Sequence, residues 1–101
     1  MAVYLFEFEW DPAKARTNFS KHGVDFESAA EVFRDPLAIS IPDEEHSILE
    51  ARWITIGTDT RSQSFLVVHT FEEFNSETAR IRIISARRPT KTELIDYEDQ
   101  Q

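Results

Sequence analysis

The feature that most restricts the fold is a change of hydrophobic period after Pro36. Apolar and polar residues alternate along four segments, which predicts four strands at residues 37–41, 51–57, 64–71 and 79–86. A parallel pair of strands needs a crossover of about a dozen residues or more. The polar connections between these segments are too short for one, so the segments are predicted to form a four-stranded antiparallel meander.

The residues before the meander predict a strand and a two-helix hairpin. Residues 3–9 alternate and place three aromatic side chains on one side of a strand. Asp11 is a suitable cap for a first helix beginning at Pro12, and Gly23 supplies its left-handed stop. Asp25 is a suitable cap for a second helix, which ends before the meander.

The residues after the meander predict a C-terminal helix. Thr90 and Glu93 form a T-x-x-E capping box, and the helix extends to Tyr97. Residues 98–101 are expected to be a frayed tail. The chain, residues 1–101, is therefore predicted to be one α+β domain with its helices on one face of the sheet, leaving the opposite face for a shallow site.

Composition limits the classes of function. The chain has no cysteine, which excludes disulfides and thiolate metal sites. Its start lacks the basic and apolar regions of a signal peptide, and no window approaches the roughly 20 apolar residues of a membrane span, so a cytoplasmic protein without membrane contact is expected. The net charge of -8 argues against a general nucleic-acid coat. A local basic site is still compatible with it, because charges are screened beyond about 8 Å.

Five of the 11 basic residues cluster in a stretch without acids: Arg80, Arg82, Arg87, Arg88 and Lys91. Arg87 and Arg88 are expected at the corner between the last strand and the C-terminal helix. Guanidinium groups beside a helix N-terminus favour phosphate oxygens. The alternative is that these arginines are solvated or paired with some of the chain's 19 acidic residues.

Three segments together resemble a known family. FEWDPAKARTNFSKHGVDFESAAEVFRDP, EARWITIG and RIRIISARRPTKTELIDYE are similar to the BrnT family of bacterial toxins, within the RelE-like ribonucleases. The resemblance implies metal-independent RNA cleavage without a cofactor. It also implies neutralisation by a cognate ribbon-helix-helix antitoxin, and binding of operator DNA only through that antitoxin. The family's motif falls on Trp10, Asp11, Lys14, Lys21, His22, Gly23, Arg52, Ser85, Ala86, Arg87, Arg88 and Tyr97.

These considerations select the candidate site residues. The catalytic candidates are Arg87, Arg88, Arg52, His22, Lys21 and Glu50. The candidates for RNA binding are Arg80, Arg82, Lys91 and Tyr97. No metal ligands are proposed, since the Asp43, Glu45 and His46 spacing matches no established pattern.

Several candidates have structural alternatives. Lys21 and His22 suit the end of a helix on dipole grounds alone. Arg52 can equally be ion-paired, and Tyr97 can pack under the sheet. His69 is expected in the core and His46 in solvent.

Two other functions stay open beside the endoribonuclease toxin. The chain can be a catalytically silent module that acts only as a corepressor with its antitoxin, or a structural dimer subunit. A homodimer in the absence of the antitoxin is also left open. In each case the acidic balance favours a basic partner.

Overall fold

The computed structural model describes residues 5–46 and 49–99, and within them the chain forms three α-helices and six strands. The strands are β1 (Leu5–Glu9), β2 (Ile39–Pro42), β3 (Trp53–Thr58), β4 (Ser64–His69), β5 (Glu72–Glu73) and β6 (Thr78–Arg87), and the helices are α1 (Pro12–His22), α2 (Phe26–Ala30) and α3 (Lys91–Asp99). The α+β class is confirmed. The predicted start of the first strand at residues 3–4, residues 47–48 of the acidic loop and residues 100–101 of the tail lie outside the described residues.

The first two helices begin and end where their local signals predict. Asp11 accepts a hydrogen bond from the N–H of Ala13 at 2.8 Å, and Gly23 ends α1 with a φ of 69°. Asp25 accepts from the N–H of Ser28 at 2.7 Å. The second helix is shorter than predicted, because α2 tightens into a 3₁₀ turn at Glu31–Arg34, as helices commonly do at their ends. None of the described helices has the length and apolar character needed to cross a bilayer.

The six strands form one mixed sheet, in which five follow the order β1-β6-β4-β3-β2. The short β5 pairs with the same edge of β6 as β4 does, nearer to the start of β6. Successive pairs from β2 to β3, β4 and β6 are antiparallel. β1 pairs with β6 in parallel, and most of the chain lies between these two strands, enough for the crossover that parallel pairing requires. The connection predicted at residues 72–77 contains β5, whose Glu72 lies opposite Arg80.

Helices cover both faces of the sheet. On one face, α1 and α2 enclose the main core, which includes Phe26, Val32 and Phe65. On the other, α3 lies over the face that carries Leu66, and a groove lined by aliphatic residues of β2, β3 and β4 remains beside it. The prediction that all helices share one face is wrong. Adjacent strand residues point to opposite faces, and Phe65 and Leu66 are both buried, so each face needs a cover.

Candidate active site

A cationic cleft lies between α1 and β6. It has a volume of about 310 Å³ and is lined by Ala13, Lys14, Thr17, Asn18, Lys21, His22, Ile84 and Ser85. Lys14, Thr17 and Lys21 are three and four residues apart, which places them on one face of α1. We call this site the α1–β6 cleft.

The cleft exists because β1 ends before β6 does. β1 pairs with β6 only as far as Arg82, and beyond that point α1 lies along the edge of β6. Asn18 of α1 takes over part of the missing strand's hydrogen bonding. Its Nδ2 donates to the carbonyl of Ala86 at 2.8 Å and to that of Val24 at 3.1 Å, and its Oδ1 accepts from the N–H of Ala86 at 3.1 Å.

A β-bulge in β6 shapes the opposite wall of the cleft. Val68 pairs with Ser85, but the next residue, His69, pairs with Ile83, so Ile84 is an extra residue in β6. Bulges bend a strand and change the direction of side chains, and they are common beside active sites. Ile84 and Ser85 both line the cleft, and neither is buried.

The charge of the α1–β6 cleft is opposite to that of the whole chain. Lys14, Lys21 and His22 are exposed, and none of the described residues that line the cleft is an Asp or Glu. Lys21 and His22 also occupy the last turn of α1, where the helix dipole favours positive charge. An anion such as a phosphate would therefore meet cations, a hydroxyl and an imidazole in one place.

Two of the predicted RNA-binding arginines are paired with carboxylates. The Nη2 of Arg80 lies 3.9 Å from Oε2 of Glu7, and its Nε lies 3.7 Å from Oε2 of Glu9. The guanidinium group also lies over the ring of Phe74. Arg82 forms an ion pair with Glu50. About 40% of each arginine side chain is exposed, so these pairs are solvent-screened and weak.

Arg87 and Arg88 diverge at the end of β6. Arg87 donates from Nη1 and Nη2 to the two carboxylate oxygens of Glu93, at 2.9 and 3.0 Å. Arg88 donates to the side-chain oxygen of Gln63 at 3.1 Å and lies 5.7 Å from the ring of Phe65. The two guanidinium groups bind different partners, one on α3 and one just before β4, so they do not converge on one phosphate here.

Glu93 joins Arg87 to the start of α3. The predicted capping box is confirmed: Glu93 accepts from the N–H of Thr90 at 2.7 Å and donates its own N–H to the Thr90 hydroxyl at 3.2 Å. The hydrogen bonds from Arg87, helped by those from Thr90, lower the pKa of Glu93 to about 2. The bond to Glu93 in turn raises the pKa of Arg87. Both effects favour the charged pair.

Arg52 and Glu50 lie in a second cleft, of about 260 Å³, which Glu45, His46 and Leu49 also line. The Nδ1 of His46 lies 3.1 Å from both carboxylate oxygens of the buried Asp43. Among the described residues this cleft shares no lining residue with the α1–β6 cleft, so the structure separates Arg52 and Glu50 from Lys21 and His22.

Tyr97 and Lys91 belong to α3. Tyr97 is buried, and its hydroxyl donates to Asp35 at 2.9 Å. Partial burial raises the pKa of Asp35, but hydrogen bonds from Leu37, Thr58 and Tyr97 outweigh that effect and lower it. Lys91 is exposed at the first position of α3.

His69 is a core residue, as predicted. It is buried beside Phe33, its Nδ1 lies 2.9 Å from the carbonyl of Thr70, and its Nε2 lies 2.6 Å from the hydroxyl of Thr55. Both ring nitrogens therefore have partners. Burial lowers the pKa of His69.

Sequence reasoning from charge alone missed three residues of the α1–β6 cleft. Lys14 and Ser85 belong only to the motif implied by the family resemblance, and Asn18 falls within the predicted first helix without being singled out. Two signals were available. Lys14 and Lys21 are seven residues apart, which is two helical turns, and an Asn in the middle of a helix needs a hydrogen-bonding explanation.

Comparison with known proteins gives one family and a solved structure. The family model described as the ribonuclease toxin BrnT of a type II toxin–antitoxin system matches residues 10–93. The chain is similar to the crystal structure of the Brucella abortus ribonuclease toxin BrnT, with 25% sequence identity and a TM-score of 0.59. That match covers 86% of this chain and 100% of the other. No curated protein matches the sequence.

Proposed function

The chain belongs to the BrnT family of type II ribonuclease toxins, and on that basis we propose that it is an endoribonuclease that cleaves RNA in the α1–β6 cleft. The proposal includes inhibition of growth in the cytoplasm and neutralisation by a cognate antitoxin with a ribbon-helix-helix DNA-binding part. The observation that carries the site assignment is the convergence of Lys14, Lys21, His22 and Ser85 on one acid-free cleft.

The chemistry needs no metal ion. In such cleavage a base removes the proton of the ribose 2′-hydroxyl, and the 2′-oxygen forms a bond to phosphorus. The P–O5′ bond breaks, the leaving 5′-oxygen is protonated, and a cyclic phosphate remains. Cations placed against the non-bridging oxygens stabilise the charge that develops on the phosphate.

The residues of the cleft match these tasks. We assign proton transfer to His22, because histidine is the side chain that most often acts as a general acid or base. Lys14 and Lys21 share one face of α1 and line the same cleft as His22, where they suit the non-bridging oxygens. The hydroxyl of Ser85, on the β6 wall, can donate a further hydrogen bond to the phosphate.

The other predicted site residues have supporting roles in this proposal. Arg88 is exposed and its side chain is bonded to a neutral glutamine, so it can bind a flanking phosphate. Arg80 and Arg82 would have to leave carboxylates to do so. Arg87 holds the start of α3 through Glu93, and Lys91 adds a weak electrostatic contribution.

The test is cleavage of total RNA by the purified chain, with and without EDTA. Lys14→Ala and Lys21→Ala are each expected to lower the rate by about 10²-fold, the scale of one lost electrostatic donor. Arg16→Ala is the matched control, since it removes one cation from the same helix outside the cleft.

Three results would refute the site or the activity. Loss of cleavage in EDTA with recovery on adding a divalent ion would refute the metal-independent mechanism. Equal rates for Lys21→Ala and Arg16→Ala would place the reaction elsewhere. Absence of cleavage and of growth arrest, together with operator repression alongside an antitoxin, would identify a silent corepressor instead.

A further inference from the structure

We propose that a groove beside α3 is the docking surface for a basic, amphipathic segment of the cognate antitoxin. The groove has a volume of about 340 Å³ and lies between α3 and the face of β2 and β3. Its floor is aliphatic, and acidic residues of α3 form its wall. We call it the α3 groove. The identity of the partner rests on the proposed toxin function, whereas the surface and its chemistry rest on the geometry below.

The floor of the α3 groove offers apolar area that α3 does not cover. Ile39 lies beside Ile56 and Ile41 beside Ile54, so all four side chains share one face of the sheet. Ile41 is 49% exposed, although it belongs to a strand. β2 is the last strand in the sheet order, so the groove is open on that side to a second chain. Aliphatic side chains from a partner would remove this surface from water.

The wall of the α3 groove determines the charge of the partner. Asp96 and Asp99 line it, and Glu98 lies between them in sequence. The last turn of α3 has no basic residue. A helix C-terminus is the negative end of the helix dipole, so acids there disfavour the isolated helix. Lys or Arg side chains on a partner would relieve this repulsion, whereas RNA phosphates would increase it.

The α3 groove is separate from the proposed catalytic site. Among the residues that the structure describes, the groove and the α1–β6 cleft share no lining residue, and β4 lies between β6 and the floor strands β3 and β2. Changes in the groove are therefore expected to alter antitoxin affinity while the rate of RNA cleavage by the free chain stays the same. This separation allows the docking surface and the catalytic function to be tested independently.

The experiment measures binding of the full chain to the small protein encoded by the adjoining reading frame. Calorimetry is carried out on Ile41→Ser and on the double variant Asp96→Lys/Asp99→Lys. We expect each to weaken binding at least about tenfold, and the charge reversal to remove most of the salt dependence. Leu5→Ser and Glu27→Lys are the controls. Leu5 is 74% exposed on β1, at the other end of the sheet, and Glu27 is exposed on α2.

Each contrary outcome has a distinct meaning. Unchanged affinity in both groove variants, with tight binding by the original chain, would overturn the groove and leave the toxin assignment standing. Failure of the original chain to bind that protein would overturn the partner. A homodimer that Ile41→Ser dissociates in sedimentation would make a second copy of the chain the occupant. RNA cleavage rates for all variants, measured without the partner, confirm that the site is intact.

Discussion

Asn18→Ala tests whether one side chain holds the α1–β6 cleft together. Asn18 is 6% exposed and makes three hydrogen bonds to backbone groups, two of them to Ala86 on β6. A typical hydrogen bond contributes about 1 kcal/mol net, and a buried group left unpaired costs about 1–3 kcal/mol. Water entering from the open cleft can satisfy part of this demand. We therefore expect the free energy of unfolding to fall by about 2–4 kcal/mol.

The assay is urea unfolding, followed by the fluorescence of Trp10 and Trp53. An unchanged m-value would show that a shift of the midpoint reports a change in stability. Asn75→Ala is the matched control. The side chain of Asn75 accepts two backbone N–H bonds at 2.7 and 2.9 Å, but it is exposed, so the expected loss is about 1 kcal/mol or less.

The same variant should also lose most RNA cleavage at a temperature where it remains folded, because Asn18 no longer joins α1 to the edge of β6. A stability loss below about 1 kcal/mol for Asn18→Ala, equal to the control, would show that core packing alone positions α1. Full activity in a destabilised variant would refute the link between Asn18 and the cleft.

Three further predictions follow from side-chain partners. The lowered pKa of Glu93 means that its contribution to stability is complete above its ordinary pKa of 4.5 and is lost as the pH falls toward about 2. Because the ion pair is partly exposed, we expect the free energy of unfolding to fall by about 1–2 kcal/mol over this pH range in the original chain. The Glu93→Gln variant should lack this fall, and the same pH dependence in both proteins would refute the contribution of the pair. Arg88→Ala should weaken RNA binding and lower the salt slope by about one, and Arg80→Ala should do so less, because carboxylates already hold Arg80. Binding measured over a salt series distinguishes this from a diffuse basic patch, in which the two variants behave alike. Tyr97→Phe should lower the free energy of unfolding by about 1 kcal/mol, because the hydrogen bond to Asp35 is lost, and it should leave RNA binding unchanged. Weaker RNA binding with an unchanged free energy of unfolding would instead support stacking of Tyr97 on a base.

The sequence by itself determined the features that depend on near neighbours. The caps at Asp11 and Asp25 and the capping box of Thr90 and Glu93 act over two or three residues, so their residue types are sufficient to predict them. The strand segments followed from alternation, although their ends differ by one or two residues. The family resemblance also rests on sequence alone, since its motifs run through the chain in order.

Only the tertiary structure decided which distant groups meet. Asn18 and Ala86 are 68 residues apart, and no local pattern links a helical amide to the edge of a particular strand. The parallel pairing of β1, the bulge at Ile84 and the position of α3 on the second face likewise depend on how the whole sheet closes. The arginine cluster is visible in the sequence, but the sequence does not show which of its guanidinium groups can bind phosphate. Whether an arginine is free for phosphate depends on which carboxylates the fold brings beside it, and those lie on β1, on α3 and in the loop before β3.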